Sequence, residues 1–256
     1  MGASLYRAFD WRGPDRVVLV HGFTQTLAAW DPLAQVLADT FQVVRVDLPG
    51  HGGSAGVDMT FAETATAIGD AGGTATYVGY SMGGRLCLRL AADRPDLVRA
   101  LVLVGASPGL ADPAARAARR EADEALAADI ERTGTAAFLE RWLAQPLFAT
   151  FTPTPEDIAA RRANTSGGLA AALRRLGTGV QEPLWSRLAA LDMPVLAIAG
   201  QDDARYSRVA EEMAEAIGVN AQVVALAGAG HTAHLERPAS FSRLLSAFLV
   251  LHPPTL

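Results

Sequence analysis

Short runs of branched, aliphatic and aromatic residues return along the chain at a regular interval. Residues 17–20, 42–47, 76–80, 100–104, 195–199 and 222–226 are such runs. They have the pattern of strands buried on both faces. Between them, residues 32–39, 61–71, 83–92, 208–217 and 238–250 place apolar side chains at helical spacing. Strand alternating with helix predicts an α/β fold, a mostly parallel sheet flanked by helices.

The rhythm fails once. From 104 to 195 no segment reads as a strand, although a crossover between parallel strands needs only about 30 residues. Helical periodicity fills the stretch instead, at 113–132, 136–144, 155–164 and 169–176. The simplest account is a helical insertion over the sheet's carboxyl edge, where open α/β folds place ligands. The expected organisation is a core over 1–108, a helical cap over 109–185 inserted before the strand at 195–199, and the core resumed over 186–256.

Composition narrows the function. The chain has 256 residues and is 50% hydrophobic, too apolar for disorder and long enough to bury roughly 70–75% of its unfolded surface. No apolar run reaches the ~20 residues of a membrane span, and the opening segment lacks a secretion signal's apolar centre, so neither is expected. The single cysteine, Cys87, can form neither an internal disulfide nor a thiolate zinc site, which predicts a reducing cytoplasm and no metal. A net charge of −5 without a basic stripe argues against nucleic acid. All 22 basic residues are arginine, which a GC-rich genome explains more simply than a function does.

The strand at 76–80 runs into Gly79-Tyr80-Ser81-Met82-Gly83-Gly84 and then a helix. This is the setting of a nucleophile elbow, a serine on a tight strand-to-helix turn; the plain alternative is a tight turn with an incidental serine. A hydroxyl needs a histidine held by a carboxylate to act at neutral pH, and on this fold the chain order is serine, acid, histidine. Asp203 follows the strand at 195–199, with neighbouring Asp202 as competitor, and His231 follows the strand at 222–226. His234 and His252 read as surface or C-terminal residues, and His21 and His51 as turn organisers. The loop His21-Gly22-Phe23-Thr24 follows the strand at 17–20. The N–H groups of Phe23 and Met82 are the expected oxyanion donors, the alternative being loop amides that face water.

With these residues in hand, the chain resembles the α/β-hydrolase superfamily over essentially its whole length. Within it, the chain is similar to the 2-succinyl-6-hydroxy-2,4-cyclohexadiene-1-carboxylate synthase family of menaquinone biosynthesis. The resemblance rests on His21-Gly22-Phe23, on Val46-Asp47-Leu48-Pro49-Gly50-His51-Gly52, and on Val78 to Arg85. It continues through Ser107-Pro108-Gly109-Leu110 leading into Arg116-Ala117-Ala118-Arg119, through Trp142 to Ala149, and through Gly230 to Pro238. Arg85, the Pro-Gly-Leu segment and Pro146-Leu147-Phe148-Ala149 discriminate best, because the elbow is shared by many relatives.

The resemblance implies a carbon–oxygen lyase that eliminates pyruvate from a 5-enolpyruvoyl precursor bearing several carboxylates, with no cofactor. Ser81 would abstract the proton, backed by His231 and Asp203. Arg85, Arg119 and Arg162 would hold the carboxylates, with Arg120 and Arg161 one register away, and Tyr80 and Trp142 would wall the pocket. Arginine suits that task because its planar fork binds carboxylates bidentately; as the chain's only cation, any one arginine can equally be a solvated helix face, and Trp142 can equally be cap core. The expected partner is a small polycarboxylate, with no nucleic acid, no membrane, and a monomer or weak homo-oligomer. The chain departs from the family at Thr24-Gln25-Thr26, where a Ser-Gly pair is usual, and at Arg205, displaced from the position after the acid motif. A hydrolase of esters or carbon–carbon bonds with Ser81 as nucleophile is the main alternative, since one triad serves many chemistries. A non-catalytic receptor is the third reading, and an intact triad speaks against it.

Overall fold

A computed structural model describes residues 4–11 and 13–252; the outermost expected core residues, 1–3 and 253–256, lie outside the described residues. Seven strands form one sheet: β1 (Arg7–Trp11), β2 (Arg16–Val20), β3 (Gln42–Val46), β4 (Ala75–Tyr80), β5 (Val98–Val104), β6 (Val195–Gly200) and β7 (Ala221–Leu226). Their order is β1-β3-β2-β4-β5-β6-β7. From β3 through β7 all neighbours pair in parallel, and β1 pairs with β3 antiparallel, Arg7 opposite Val46 and Trp11 opposite Gln42. The sequence reading omits β1. It lies at the sheet edge with Phe9 46% exposed, so it needs no continuous apolar run.

The helices are α1 (Asp31–Leu37), α2 (Phe61–Gly72), α3 (Met82–Asp93), α4 (Pro113–Leu143), α5 (Pro155–Arg162), α6 (Ser166–Leu176), α7 (Ala204–Ile217), α8 (Ala233–Glu236) and α9 (Pro238–Leu251). Along β2, side chains alternate between two cores, as the strand's two-residue period requires. Val18 and Val20 join Ile68, Leu86 and Met213 beneath α2, α3 and α7. Val17 and Leu19 join Trp30, Leu37, Phe241 and Leu245 beneath α1 and α9. Burying each such side chain contributes about 1.5–3 kcal/mol, which is what holds both helical layers to the sheet.

Helices α4, α5 and α6 lie between β5 and β6. The break expected between 132 and 136 falls at Gly134, where φ of 79° bends α4 into two helical runs. Ile130, Phe138 and Leu139 of α4 pack on Leu169 and Leu173 of α6, a third core separate from the sheet. The two ends of this segment meet: the N–H of Leu184 donates to the carbonyl of Pro108 at 2.8 Å, and Trp185 Nε1 donates to that of Gly109 at 2.9 Å. No helix among the described residues is long and apolar enough to cross a membrane. Because the strands are parallel, the loops after β2, β3, β4, β5, β6 and β7 emerge together at one edge, beneath these helices.

Candidate active site

At that edge β4 ends and α3 begins with one residue between them. Ser81 occupies it with φ of 50° and ψ of −108°, a left-handed conformation rare for a residue with a side chain. Its N–H donates to the carbonyl of Val104 at 2.8 Å, which fixes the turn against β5. So tight an elbow needs glycine on both sides. A Cβ on Gly79 would stand 2.6 Å from the backbone of Gly83, and one on Gly83 would stand 2.3 Å from the Val20 carbonyl oxygen.

Ser81 Oγ lies 3.3 Å from His231 Nε2, and His231 Nδ1 lies 2.8 Å from Asp203 Oδ2. Since a carboxylate only accepts, Nδ1 carries the proton and Nε2 faces the serine with a lone pair. Asp203 caps α7, its Oδ1 accepting the Tyr206 N–H at 3.1 Å. Its competitor Asp202 is exposed, and only its backbone N–H reaches the histidine loop, at Ala229. His231 is 3% exposed and packs on the rings of Tyr206, Tyr80 and Phe148.

Glu236 holds the loop that carries His231, and the sequence reading passes it over. Its carboxylate accepts the N–H of Gly230 at 2.8 Å, the N–H of Thr232 at 3.0 Å and the Thr232 hydroxyl at 2.7 Å. Burial acts to raise this carboxyl, but these donors hold it below the usual glutamate range. The signal was an acid five residues after the histidine, just before Arg237-Pro238.

The loop after β2 is built on two buried histidines, and both organise turns as expected. His21 Nδ1 donates to the Gly22 carbonyl at 2.8 Å while Nε2 accepts the Leu48 N–H at 3.1 Å. His51 Nδ1 donates to the Pro49 carbonyl at 3.0 Å while Nε2 accepts the Thr24 N–H at 3.2 Å. Burial pushes His21 down to about 4 and His51 down to about 3, so both rings are neutral. Among the described residues Thr24 is the other non-glycine residue with positive φ, at 69°. Among the described residues no chain acceptor takes the N–H of Phe23 or of Met82, and Met82 is the first residue of α3, where helices leave such donors free.

The arginines separate into buried and exposed. Arg85 is 6% exposed; it donates to Gln181 Oε1 at 3.1 Å and to the Leu176 carbonyl at 2.8 Å, and stacks over Phe61. Burial pushes it down to about 10, which leaves it a cation at neutral pH. Arg119 is half-buried and donates to Asp123 Oδ1 at 2.8 Å. Arg120 is exposed and reaches the Gly179 carbonyl. Arg162 is the residue that the structure turns away. Its side chain is 53% exposed with Glu140 at 3.8 Å, whereas Arg161, one register earlier, is buried and donates to Thr24 Oγ1. One residue along α5 rotates a side chain by about 100°, enough to exchange inside for outside.

One further placement differs from expectation. His234 is 4% exposed rather than on the surface, its ring packed at a tilt against those of Trp30 and Tyr80. Trp142 packs on Phe23, Phe138 and Phe148, so it joins the inserted helices to the loop after β2, in keeping with the cap-core alternative. Tyr80 is buried under Gly22 and against His231, and burial pushes its phenol up. Among the described residues no group of three or more His, Cys, Asp or Glu side chains is placed to hold a metal ion.

A profile of the alpha/beta hydrolase fold matches residues 15–238. The 2-succinyl-6-hydroxy-2,4-cyclohexadiene-1-carboxylate synthase of Enterobacter sp. (strain 638) is 31% identical over 253 residues, covering 95% of this chain and 93% of that protein. Among solved structures, MenH from S. aureus superposes with a TM-score of 0.88 at 28% identity, covering 96% of this chain and 98% of that one. A thermophilic esterase from Thermogutta terrifontis, malate bound, superposes with a TM-score of 0.82 at 27% identity, over 97% of this chain and 94% of that one.

Proposed function

The chain belongs to the α/β-hydrolase family, and from that premise we propose that it is a 2-succinyl-6-hydroxy-2,4-cyclohexadiene-1-carboxylate synthase of menaquinone biosynthesis. The observation that carries this over a plain esterase is Arg85. It is a buried cation one helical turn from Ser81, and among the described residues no carboxylate stands within ion-pair distance of it. Taking a guanidinium out of water is unfavourable unless an anion completes it, and a polycarboxylate substrate supplies one. Arg119 adds a second cation nearby.

In this reading Ser81, His231 and Asp203 form one proton-transfer unit. Ser81 Oγ takes a proton from the substrate carbon as its own proton passes to His231 Nε2. The carbon–hydrogen pair becomes the new double bond, the carbon–oxygen bond to the enolpyruvoyl group breaks, and that group leaves and is protonated to pyruvate. The step balances without an oxidant or co-reactant. Asp203 steadies the imidazolium that forms. The N–H groups of Phe23 and Met82 receive the negative charge that develops as the proton leaves; donors of this kind are worth roughly 3–4 kcal/mol. The inserted helices, about residues 109–185, act as a cap over this site, and the enzyme works in the cytoplasm.

The test is pyruvate release from the enolpyruvoyl precursor, run beside hydrolysis of a p-nitrophenyl ester and a no-enzyme control. Fast pyruvate release that Ser81→Ala abolishes, with feeble ester cleavage, is the expected result. Ester cleavage without pyruvate above background assigns the triad to a hydrolase instead.

A further inference from the structure

His231 sits in a turn, on neither a strand nor a helix, yet it must present one ring nitrogen to Asp203 and the other to Ser81. Its hydrogen bonds alone do not secure that aim. The Nδ1 bond to Asp203 is 2.8 Å, but the contact between Nε2 and Ser81 Oγ is 3.3 Å, long for a hydroxyl hydrogen bond. The torsion that turns an imidazole plane has broad minima, so rotamer preference does not set the ring either. What remains is packing.

Backbone and rings wall the imidazole. A Cβ on Gly105 would stand 3.0 Å from His231 Cε1. The Phe148 ring lies 6.2 Å away at 65°, the Tyr80 ring 5.4 Å away at 54°, and the Tyr206 ring 4.5 Å away at 45°. Tyr206 is the nearest of these rings, and it is tied to the acid as well. It is the third residue of α7, whose N-cap is Asp203. Asp203 Oδ1 accepts the Tyr206 N–H at 3.1 Å, the usual bond from an acidic N-cap to the third helical amide, while Oδ2 accepts from His231. One residue therefore holds the acid with its backbone and the base with its side chain. The ring is itself packed on the core that α7 covers. The sequence reading gives Tyr206 no role, because an aromatic three residues after the acid gains meaning only once the histidine turn folds over the start of α7.

We propose that Tyr206 is a positioning residue of the triad: its ring keeps the His231 imidazole in the plane that spans Asp203 and Ser81, and faces the positive charge the imidazole takes up from the serine. An aromatic ring attracts a cation within about 6 Å of its centroid, most strongly where water is excluded, and His231 is 3% exposed. The imidazole is neutral before the proton moves and a cation after it. The attraction therefore belongs to the transition state and not to the bound substrate, which places its effect in kcat and leaves KM alone. The ring carries this role and the phenol hydroxyl does not. The inference rests on the triad working as the proton-transfer unit proposed above.

Substitutions at this one position test it. Tyr206→Phe keeps the ring, Tyr206→Leu and Tyr206→Met fill its place without one, and all of them leave Asp203 its backbone N–H. In the two ringless variants kcat for pyruvate release should fall about tenfold with KM within about twofold, the size expected from losing a desolvated cation–π contact. Tyr206→Phe should keep kcat within about twofold, since the ring is retained. The rate at which a fluorophosphonate labels Ser81 should follow the same order, because that reaction draws on the serine–histidine pair and needs no enolpyruvoyl substrate. Labelling that follows this order in a protein releasing no pyruvate would reject the lyase reading and uphold the role of Tyr206. The proposal is overturned if the ringless variants keep the parent's kcat and labelling rate, if Tyr206→Phe falls as far as Tyr206→Leu, if the loss lies in KM alone, or if it matches the fraction of chain left unfolded in each ringless variant.

Discussion

Asn164, in the turn between α5 and α6, donates Nδ2–H to the carbonyl of Thr24 at 2.8 Å. With the Arg161 bond to Thr24 Oγ1, it is how the inserted helices grip the loop after β2. The Asn164 side chain also accepts the Gly52 N–H through Oδ1 at 2.9 Å, so one amide spans the loops after β2 and β3. Thr24 sits in the left-handed region, a conformation costing of order 1–3 kcal/mol that persists only when its surroundings impose it. Asn164, Arg161 and His51 impose it from three sides. Thr24 adjoins Phe23, so that grip also sets the aim of the Phe23 N–H.

Asn164 is therefore a positioning residue, and two substitutions separate its contacts. Asn164→Asp keeps the acceptor for Gly52 and deletes the donor to Thr24. Both Asn164→Asp and Asn164→Ala should lower kcat about tenfold with KM within about twofold, less than the 10²–10³ lost when an oxyanion donor is removed outright. Recovery of kcat in the Asp variant would move the residue's importance to the Gly52 contact and away from the oxyanion loop.

Ser81 is strained, and its strain predicts a dissociation of activity from stability. Glycine adopts φ of 50° without a Cβ penalty, so Ser81→Gly should stabilise the fold by about 1 kcal/mol while abolishing turnover. His231→Ala should abolish turnover as well. Thermal melts and pyruvate assays on the same preparations decide this. A Ser81→Gly protein that melts lower than the parent would show that the hydroxyl is a structural contact and the elbow is not strained.

The arginines give a third test because they stand in such different surroundings. Arg85→Met should lower kcat/KM for the polycarboxylate about 100-fold or more, since a charge-assisted bidentate contact is lost, and should change ester cleavage only a few-fold. Arg162→Ala should leave both within about twofold, as expected for an exposed side chain whose acid partner is 3.8 Å away. Equal losses on both substrates in Arg85→Met would make Arg85 a structural tie between α3 and Gln181.

These contrasts also mark where sequence reasoning stops. The parallel sheet was legible because β2, β4, β5 and β6 are buried on both faces and carry that fact as unbroken apolar runs. The positions of Ser81, Asp203 and His231 were legible because tight turns at strand ends demand particular residues. At one edge, β7 is largely exposed rather than buried on both faces, but it kept such a run in Val223 to Leu226 and was read. Strand β1, at the other edge, was not, since its residues form no apolar run. Nor was the choice between Arg161 and Arg162, because it turns on the rotation of α5 about its own axis, which short and mixed periodicity does not fix. His234 read as a surface residue because its burial comes from Trp30 and Tyr80, side chains distant in sequence.

Three buried histidines make stability depend on pH in a stated direction. Burial holds His21 at about 4 and His51 and His234 at about 3, against an ordinary value of 6.5. As pH falls through about 6.5 the unfolded chain takes up three protons that the folded chain refuses. Stability is thus fully present above about pH 6.5 and declines below it, by up to about 1.4 kcal/mol per pH unit for each histidine. Asp31 and Asp47 act the other way, because burial raises their carboxyls, but their window opens only near the carboxylate range. Urea midpoints from pH 7.5 to 5 should fall steadily. His234→Phe should flatten the slope by about one histidine's share, since it removes one refused proton and two unpartnered nitrogens from a site already lined by rings. An unchanged slope in that variant would mean that the folded and unfolded chains protonate His234 alike, so that burial among these rings does not hold it neutral.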